Sequence, residues 1–379
     1  MPLSENSPLP PAANDRQGGN PRRALTAVKK LAMWIAVGAV SVLLGGVVWF
    51  WRYPDQPGPT RTAVATVDIP PGSGVVGIKK ILVRDGVIED DPRFILLAKL
   101  MGTSRRLKAG EYAFQPGLTP RAVLSYLAAG KTVLHAITLP EGMTLYQAAD
   151  IITAGGWGER EVFLRLAADP GFIDGLGLQT ASLEGYLFPD TYFFEKGTRL
   201  QTIVTSMAKR MTQVLDEVGV PRQEGAQTVL GDGAALAQAQ ASRLSRHEVL
   251  TLASIIEKET ALASERPLVA KVFLTRLRTG MKLQADPTVV YGLAKFGAPL
   301  TRVDLETPNP YNTYVNRGLP IGPICNPGRT AIAAVLNPAA DDYSYFVSQN
   351  DGSHYFSKTL AEHNQAVARY RKKRLSNRE

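Results

Sequence analysis

Residues 32–51 form a continuous run of 20 residues without a single charged side chain. Because a helix rises 1.5 Å per residue, a helix of this length extends about 30 Å, which matches the hydrocarbon thickness of a bilayer. The run ends in Trp49, Phe50 and Trp51, and aromatic rings of this kind favour the membrane–water interface. We therefore predict a transmembrane helix over residues 32–51.

A cleaved signal peptide is the alternative interpretation of this run. The apolar region of a signal peptide is normally about 7 to 15 residues long and is followed by a cleavage site of small residues. The run in this chain is longer and ends in bulky rings, which favours an uncleaved anchor. The basic side chains before it, compared with Asp55 and the Pro/Gly-rich linker after it, predict a cytoplasmic N-terminus and a single pass.

Basic residues are concentrated at the two ends of the chain, whose net charge is +9. Residues 1–31 combine basic groups with Pro, Asn, Gly and Ser, which predicts a disordered cytoplasmic tail. Residues 373–379 form a second basic tail. Since neither end interleaves its charges with aromatic residues, we interpret them as solvated ends and expect no nucleic-acid partner.

The chain contains a single cysteine, Cys325. An intramolecular disulfide and a zinc site built from cysteines are therefore both excluded, and a lone cysteine is most often a small buried apolar residue. His354 and His363 do not share a helix face at ligand spacing. We predict no metal and no cofactor.

After a linker at 52–61, residues 62–131 predict a small α/β module. Alternation predicts a strand over 63–69, and apolar spacing predicts helices over 75–84 and 92–101. Residues 107–114 predict a second strand, and a helix follows with its N-cap at Thr119.

Two short sequences in this module resemble phosphate-binding motifs. Residues 72–77 satisfy G-x-G-x-x-G but lack a following parallel strand. Gly130, Lys131 and Thr132 resemble a P-loop, but Ser125 replaces its first glycine and a helix precedes it.

A second set of patterns centres on a helix that begins after Ser245. Ser245 and Glu248 have the S-x-x-E spacing of a capping box, and the apolar residues that follow cover most of the circumference of the helix. The pattern indicates a central, buried helix. At 3.6 residues per turn, Glu257 shares a face with small and apolar residues, while Glu259 points the opposite way.

Glu257 is the candidate acid of this helix. A carboxylate among apolar neighbours loses hydration, which disfavours its charged form and raises its pKa toward the range of a general acid. The alternative hypothesis is that Glu257 pairs with a buried arginine, since buried charges are normally paired. The sequence leaves both possibilities open.

Four blocks of sequence carry a family resemblance. They are ASIIEKET with its continuation at 253–293, LEGYLFPDTY at 183–192, PYNTY at 310–314 with GLPIGPICNPG at 318–328, and HYFSKTLAEHN at 354–364. Taken in their order along the chain, they resemble the endolytic murein transglycosylases, the MltG or YceG-like family. The chain departs from the family at an inserted loop, 221–244, and at Ile321, where proline is common.

The resemblance implies an α+β fold: a single transmembrane helix, a small LysM-like α/β module at 62–131 and a mixed α+β catalytic domain at 132–372. It implies that this domain is periplasmic, that Glu257 is catalytic and that the anchor lies in the inner (cytoplasmic) membrane. Peptidoglycan glycan strands are the implied substrate, and peptidoglycan synthases are candidate partners. The substrate-contact candidates are Glu184, Tyr186, Gln284, Asp286, Asn312, Tyr314, Glu362 and Asn364.

The chemistry implied by the resemblance needs only one carboxyl group. Glu257 would protonate the oxygen between N-acetylmuramic acid and N-acetylglucosamine, and the C6 hydroxyl of the substrate would attack, leaving a 1,6-anhydro end. A hydrolytic muramidase is the first alternative and needs a second carboxylate, about 5 Å away for retention or about 6.5–9.5 Å for inversion. Glu184 and Asp286 are the candidates for it. The second alternative is a non-catalytic glycan-binding scaffold of wall synthesis.

Overall fold

The computed structural model describes residues 21–222 and 244–376. Most of the predicted N-terminal tail and nearly all of the predicted inserted loop at 221–244 lie outside these ranges. The described chain is a mixture of helices and short antiparallel strand pairs, so the predicted α+β class is confirmed. Its contacts separate two compact units, residues 1–133 and residues 134–379.

Helix α1, Pro21–Arg52, supplies most of the one stretch of the described chain that is long and apolar enough to cross a membrane, Lys29–Asp55. The prediction that disorder extends to residue 31 is wrong for residues 21–31, which continue the same helix toward the N-terminus. Alanine, leucine, lysine and arginine dominate this extension, and all four favour helix. The apolar side chains along the span are exposed to the surroundings, as a bilayer-facing helix requires.

The predicted linker at 52–61 is wrong in its first part. Tyr53–Asp55 forms a short 3₁₀ helix, and the ring of Tyr53 is 5% exposed in the apolar core of the first unit. Gly58 donates its N–H to the carbonyl of Leu118 at 3.2 Å. The chain therefore begins to pack immediately after the span, because Tyr53 supplies a large apolar ring that the small core can bury.

The rest of the first unit has the predicted order of elements. Strand β1, Ala65–Ile69, pairs antiparallel with β2, Gly110–Phe114, so that Val67 lies opposite Tyr112. The helices are α2, Val75–Arg84, α3, Arg93–Leu100, and α4, Pro120–Ala129. Thr119 accepts a hydrogen bond from the N–H of Ala122, as predicted for an N-cap. The antiparallel pairing agrees with the rejection of a dinucleotide site at 72–77.

The second unit surrounds its core with two strand pairs and many helices. Strands β3, Leu134–Thr138, and β4, Thr191–Glu195, pair antiparallel, as do β5, Tyr345–Ser348, and β6, His354–Ser357. The helices are α5, Leu145–Ala154, α6, Arg160–Ala167, α7, Pro170–Gly175, α8, Leu200–Glu217, α9, Arg246–Glu259, α10, Arg266–Thr279, α11, Asp286–Gly292, α12, Arg302–Glu306, α13, Arg329–Leu336, and α14, Leu360–Ser376. Helix α14 contradicts the predicted boundary at 373, since the last helix runs on to Ser376.

Helix α9 is the central element of this unit. Its capping box is present in full, with the Ser245 hydroxyl accepting from the N–H of Glu248 and the Glu248 carboxylate accepting from the N–H of Ser245. Every residue from 249 to 256 is buried, and α9 packs against both α10 and α13. The predicted central, buried helix is confirmed, and its last turn holds Glu257 at the edge of the core.

Candidate functional site

Glu257 lies in the last turn of α9, and its side chain is 6% exposed. One carboxylate oxygen accepts a hydrogen bond from Nη2 of Arg266 at 2.6 Å. The other accepts from the backbone N–H of Gly328 at 2.9 Å. The carboxylate is therefore held from two sides, by the first turn of α10 and by the residue that caps α13.

The pKa of Glu257 is raised from its ordinary value, because burial outweighs the stabilising effects of the Gly328 N–H and of Arg266. The predicted direction of the shift is thus confirmed. The expectation of only small and apolar neighbours is wrong, since the alternative hypothesis, a buried arginine partner, is the arrangement that the structure shows. Glu257 is both desolvated by burial and paired with an arginine, so each hypothesis describes part of the site.

Arg266 is 7% exposed and contacts a second carboxylate, Glu141. Its Nη1 lies 3.6 Å from the Glu141 carboxylate and also donates to the hydroxyl of Thr330. Glu141 belongs to the turn between β3 and α5 and keeps 48% of its side chain exposed. Its negative charge raises the pKa of Glu257 further. Glu141 is the acidic neighbour that sequence analysis missed.

The turn that carries Glu141 fits closely around the site. Gly142 has φ +75°, and its Cα faces the Cγ of Glu257, which a Cβ would contact at 3.6 Å. A Cβ on Gly328 would collide with the carboxylate of Glu141. Glycine at these positions allows two backbone segments to approach two acidic side chains. The sequence does contain a Pro-Glu-Gly turn at 140–142. These residue types are common in ordinary turns, so the turn did not identify Glu141 as a residue of the site.

A cavity of about 310 Å³ opens beside the end of α9, and Lys258, the residue next to Glu257, lines it. Asp286, Tyr291 and Phe296 line the same cavity. The Tyr291 ring packs against Phe296 at 6.3 Å, and Phe296 is 44% exposed. An exposed ring next to a polar wall matches the apolar and polar faces of a sugar ring.

Asp286, a substrate-contact candidate, lines this cavity and is bonded to a second candidate, Tyr314. The Tyr314 hydroxyl donates to the Asp286 carboxylate at 2.6 Å. Asp286 is the first residue of α11, and Pro287 suits the first turn of that helix. Gln284, two residues before it, is exposed and adopts φ +51°.

Asp286 raises the pKa of Glu259, not that of Glu257. Burial is the larger cause, and the pKa of Glu259 reaches about 8 even though Arg276 lowers it. The prediction that Glu257 and Glu259 point to opposite sides of α9 is confirmed by their different partners. The carboxylate that acts on Glu257 is therefore Glu141.

Glu184 is buried and fully occupied by internal partners. Its two carboxylate oxygens accept from the N–H of Leu145 at 3.1 and 3.0 Å, and one also accepts from the hydroxyl of Tyr291 at 2.9 Å. Burial raises its pKa to about 7. Glu184 thus links the start of α5 to an aromatic ring that lines the cavity, and its role in substrate binding stays a prediction.

The remaining candidates lie in other surroundings. Tyr186 bonds to Nδ1 of His247 at 2.8 Å and lines a different cavity, of about 570 Å³. Asn312 is 1% exposed and donates to three backbone carbonyls between residues 304 and 307, which stabilises its loop. Glu362 accepts from the N–H groups of residues 358 and 359 at the start of α14, and Asn364 is exposed on that helix. Their proposed contacts with substrate stay predictions.

The fold and the site together define a class of protein: an α+β chain with one apolar N-terminal helix and a buried, raised-pKa glutamate beside an aromatic cavity. The chain belongs to the YceG-like family, whose model matches residues 67–369.

Two curated relatives and one solved structure give the extent of the similarity. The endolytic murein transglycosylase of Bacillus subtilis strain 168 is 33% identical over 348 residues, which are 87% of this chain and 91% of the relative. The endolytic murein transglycosylase of Streptococcus pneumoniae D39 is 30% identical over 343 residues, 82% of this chain and 59% of the relative. The crystal structure of a YceG-like protein from Listeria monocytogenes matches with 35% identity and a TM-score of 0.52, covering 81% of this chain and all of that one.

Proposed function

We propose that this protein is a membrane-anchored endolytic lytic transglycosylase that cuts the β-1,4 bond between N-acetylmuramic acid and N-acetylglucosamine within nascent glycan strands of peptidoglycan, and thereby limits strand length. The relatives are named for murein transglycosylation, which supports the reaction class. The observation that carries the proposal is Glu257, whose pKa is raised by burial and whose neighbour Lys258 lines an aromatic cavity. A raised pKa increases the protonated fraction of a carboxyl group, and the protonated form is the one that acts as a general acid.

In the proposed reaction, protonated Glu257 gives its proton to the glycosidic oxygen while the bond from C1 to that oxygen breaks. The C6 hydroxyl of the same muramic acid residue then attacks C1, and its proton passes to the Glu257 carboxylate. One C–O bond breaks and one forms within the substrate, so no water is consumed. The attacking group is already held near C1, and its proximity replaces a second catalytic residue.

Arg266 can stabilise the negative charge that Glu257 gains and loses during the proposed reaction. When Glu257 is protonated, its ion pair with Arg266 weakens, but Arg266 keeps Glu141 and the hydroxyl of Thr330 as partners. When Glu257 becomes a carboxylate, the 2.6 Å contact with Arg266 stabilises it. Arg266 therefore supports the proton-accepting half of the reaction, and Glu141 keeps the cation in place during the other half.

The cavity beside α9 supplies candidate contacts for the sugar rings. Phe296 offers an exposed ring, while Lys258 and Asp286 offer polar groups in the same lining, and Gln284 is exposed two residues before Asp286. Rings and hydrogen-bonding groups in this combination orient carbohydrate substrates. We assign substrate positioning to this cavity more than to the cavity lined by Tyr186, since Lys258 directly follows Glu257 in α9.

One observation favours a second candidate function, a hydrolytic muramidase. Glu141 shares Arg266 with Glu257 and is half exposed, so the site contains a second carboxylate that water can reach. In that reaction Glu141 would activate water or act as the nucleophile. The products separate the two functions, because a transglycosylase leaves 1,6-anhydro ends and a hydrolase leaves reducing ends.

The test is digestion of purified glycan strands by the full-length protein, with the ends identified by mass spectrometry. The proposal predicts anhydro ends from the wild type and none from Glu257→Gln. A matched control is Glu306→Gln, an exposed glutamate on α12 that pairs with Arg302, and this variant should cut like the wild type. Reducing ends would establish the muramidase, and the absence of cleavage by the folded wild type would favour a non-catalytic scaffold.

We further propose that α1 anchors the protein in the inner membrane with its N-terminus in the cytoplasm and the catalytic unit in the periplasm. The length and apolar surface of Lys29–Asp55 support the anchor. The strand, helix, helix, strand order of residues 65–114 supports the LysM-like assignment of the first unit. Peptidoglycan synthases stay candidate partners, since enzymes that cut nascent strands act where strands are made.

A further inference from the structure

The C-terminal end of the apolar helix α1 contacts Arg93, the first residue of α3. The guanidinium of Arg93 donates to the backbone carbonyl of Trp49 at 2.9 Å and stacks over the Trp49 ring at 3.8 Å. It also lies 4.5 Å from the centre of the Tyr53 ring. Asp91 holds the other side of the guanidinium at 2.6 Å. Cation–π contacts and charge-assisted hydrogen bonds act together at this junction, which makes it a defined contact.

Two further contacts fix the direction in which the first unit leaves the span. Tyr53 is buried in the core of the unit, and Arg121 on α4 pairs with Asp55 at 2.9 Å. A long flexible linker would let the unit rotate freely above a membrane. Here the chain packs within two residues of the end of α1, so the side of the unit that faces a bilayer is determined by the fold.

The face of α3 that carries Arg93 also carries two exposed leucines. Leu96 and Leu100 follow Arg93 by three and seven residues, a spacing that places all three on one side of a helix. Leu96 is 47% exposed and Leu100 is 67% exposed. The opposite side of α3 is the buried one, where Phe94 and Leu97 enter the core. Helix α3 thus carries two exposed leucines on the side of Arg93, the residue that contacts the end of the span.

Trp49 indicates the depth of this face relative to the membrane that α1 would cross. Tryptophan near the end of a span favours the interface between hydrocarbon and headgroups, and Trp49 is 56% exposed there. Because Arg93 touches Trp49, the start of α3 lies at the same level. Exposed basic residues follow along the chain at Lys99, Arg105 and Arg106. Exposed leucines flanked by cationic groups are the composition of segments that lie in the surface of anionic bilayers.

We propose that the α3 face formed by Leu96 and Leu100 lies in the headgroup layer of the same bilayer that α1 crosses, in the leaflet at the C-terminal end of the span, where it prefers anionic phospholipid. The proposal rests on the proposed membrane anchor. It would hold the first unit against the membrane surface.

The test uses the full-length protein in liposomes of phosphatidylethanolamine with 30% phosphatidylglycerol, about the share that gives a strongly negative surface. Cys325 is buried, with a raised pKa, so a single introduced cysteine can be labelled selectively with a bimane fluorophore. The labelled variants are Leu100→Cys on the face, Val76→Cys on α2 as an exposed apolar control in the same unit, and Val42→Cys within the span. Nitroxide lipids quench at shallow or deep positions, and iodide quenches from water.

The proposal predicts that a shallow nitroxide lowers the emission of the Leu100 label and that iodide does not, with the reverse pattern for Val76. It also predicts weaker shallow quenching in liposomes of phosphatidylcholine alone, and in an Arg93→Ala background. Equal iodide quenching at Leu100 and Val76 would overturn the docking, including the case in which another protein or a second copy normally covers this face. A deep nitroxide reports on the anchor separately: if it fails to quench Val42, the span itself is wrong, whereas quenching at Val42 without quenching at Leu100 rejects only the docking.

Discussion

Two glutamates stand two residues apart at the end of α9, and burial raises the pKa of both. Glu257 faces Arg266 and the N–H of Gly328, two groups that stabilise a carboxylate. Burial raises the pKa of Glu259 to about 8, with a further increase from the like charge of Asp286 and an opposing effect of Arg276. A raised pKa alone therefore does not identify the acid of this site.

The two environments differ in what happens after a proton leaves. A carboxylate at position 257 gains an ion pair and a hydrogen bond, so the protonated and ionised forms each have a stabilised geometry. A carboxylate at position 259 gains repulsion from Asp286. A general acid that must become a general base in the same turnover needs both forms, and this requirement favours Glu257.

The largest expected effect is a difference in the rate of strand cleavage between substitutions of Glu257 and of Glu259. Glu257→Gln should lower the rate of strand cleavage by about 10²- to 10⁴-fold, the usual contribution of a general acid or base. Glu259→Gln should lower it by less than about tenfold, since it removes only a neighbour of Asp286. Rates of anhydro-end formation measure both. A larger loss at 259 than at 257 would reverse the comparison and the assignment with it.

The second prediction concerns the partner of Glu257. Arg266→Met leaves a buried carboxylate without its cation, which should cost about 3–5 kcal/mol in the free energy of unfolding. Adding Glu257→Gln should recover part of that loss, because the unpaired charge is then absent. Urea unfolding of the single and double variants gives the coupling. Arg302→Met, which removes an exposed pair, is the control and should change stability by less than about 1 kcal/mol.

The sequence predicted one half of this comparison well. The capping box at Ser245 and the apolar run after it established the start of α9, its burial and the opposite directions of Glu257 and Glu259, because these depend on contacts within one helix. The same local signals predicted α2 to the residue and the N-cap at Thr119. Patterns that repeat with the period of a helix are visible without knowing the tertiary fold.

The other half depends on contacts between distant segments and could not be read from a single sequence. Arg266 follows Glu257 by nine residues but sits on another helix, and its distance to the carboxylate depends on how α9 and α10 meet. Glu141 comes from a turn more than a hundred residues earlier. The burial of Tyr53 was missed for the same reason, since a Pro/Gly-rich stretch predicts a linker unless a core is known to receive its ring.

A third prediction uses the pH dependence of cleavage. Glu141 raises the pKa of Glu257 through its charge, so Glu141→Gln should lower that pKa. The proposed reaction begins with protonated Glu257, and the activity should therefore fall at a lower pH in the variant than in the wild type. Rates between pH 5 and 9 measure the shift of this basic limb. If Glu141 instead activates water, the variant should lose activity at every pH, which would favour the muramidase.

The fourth prediction tests Glu259 through the pH dependence of stability. Its pKa is about 8 in the folded protein and 4.5 in the reference state, so folding favours the protonated form. The stability that this preference contributes is complete below pH 4.5 and is lost as the pH rises to about 8. Glu259→Gln should remove this contribution to the pH dependence, so that the variant loses less stability than the wild type between pH 5 and 8. Glu257→Gln should change the slope less, because Arg266 and Gly328 already stabilise the ionised form. Equal changes of slope in the two variants would show that the ion pair with Arg266 does not distinguish the two positions.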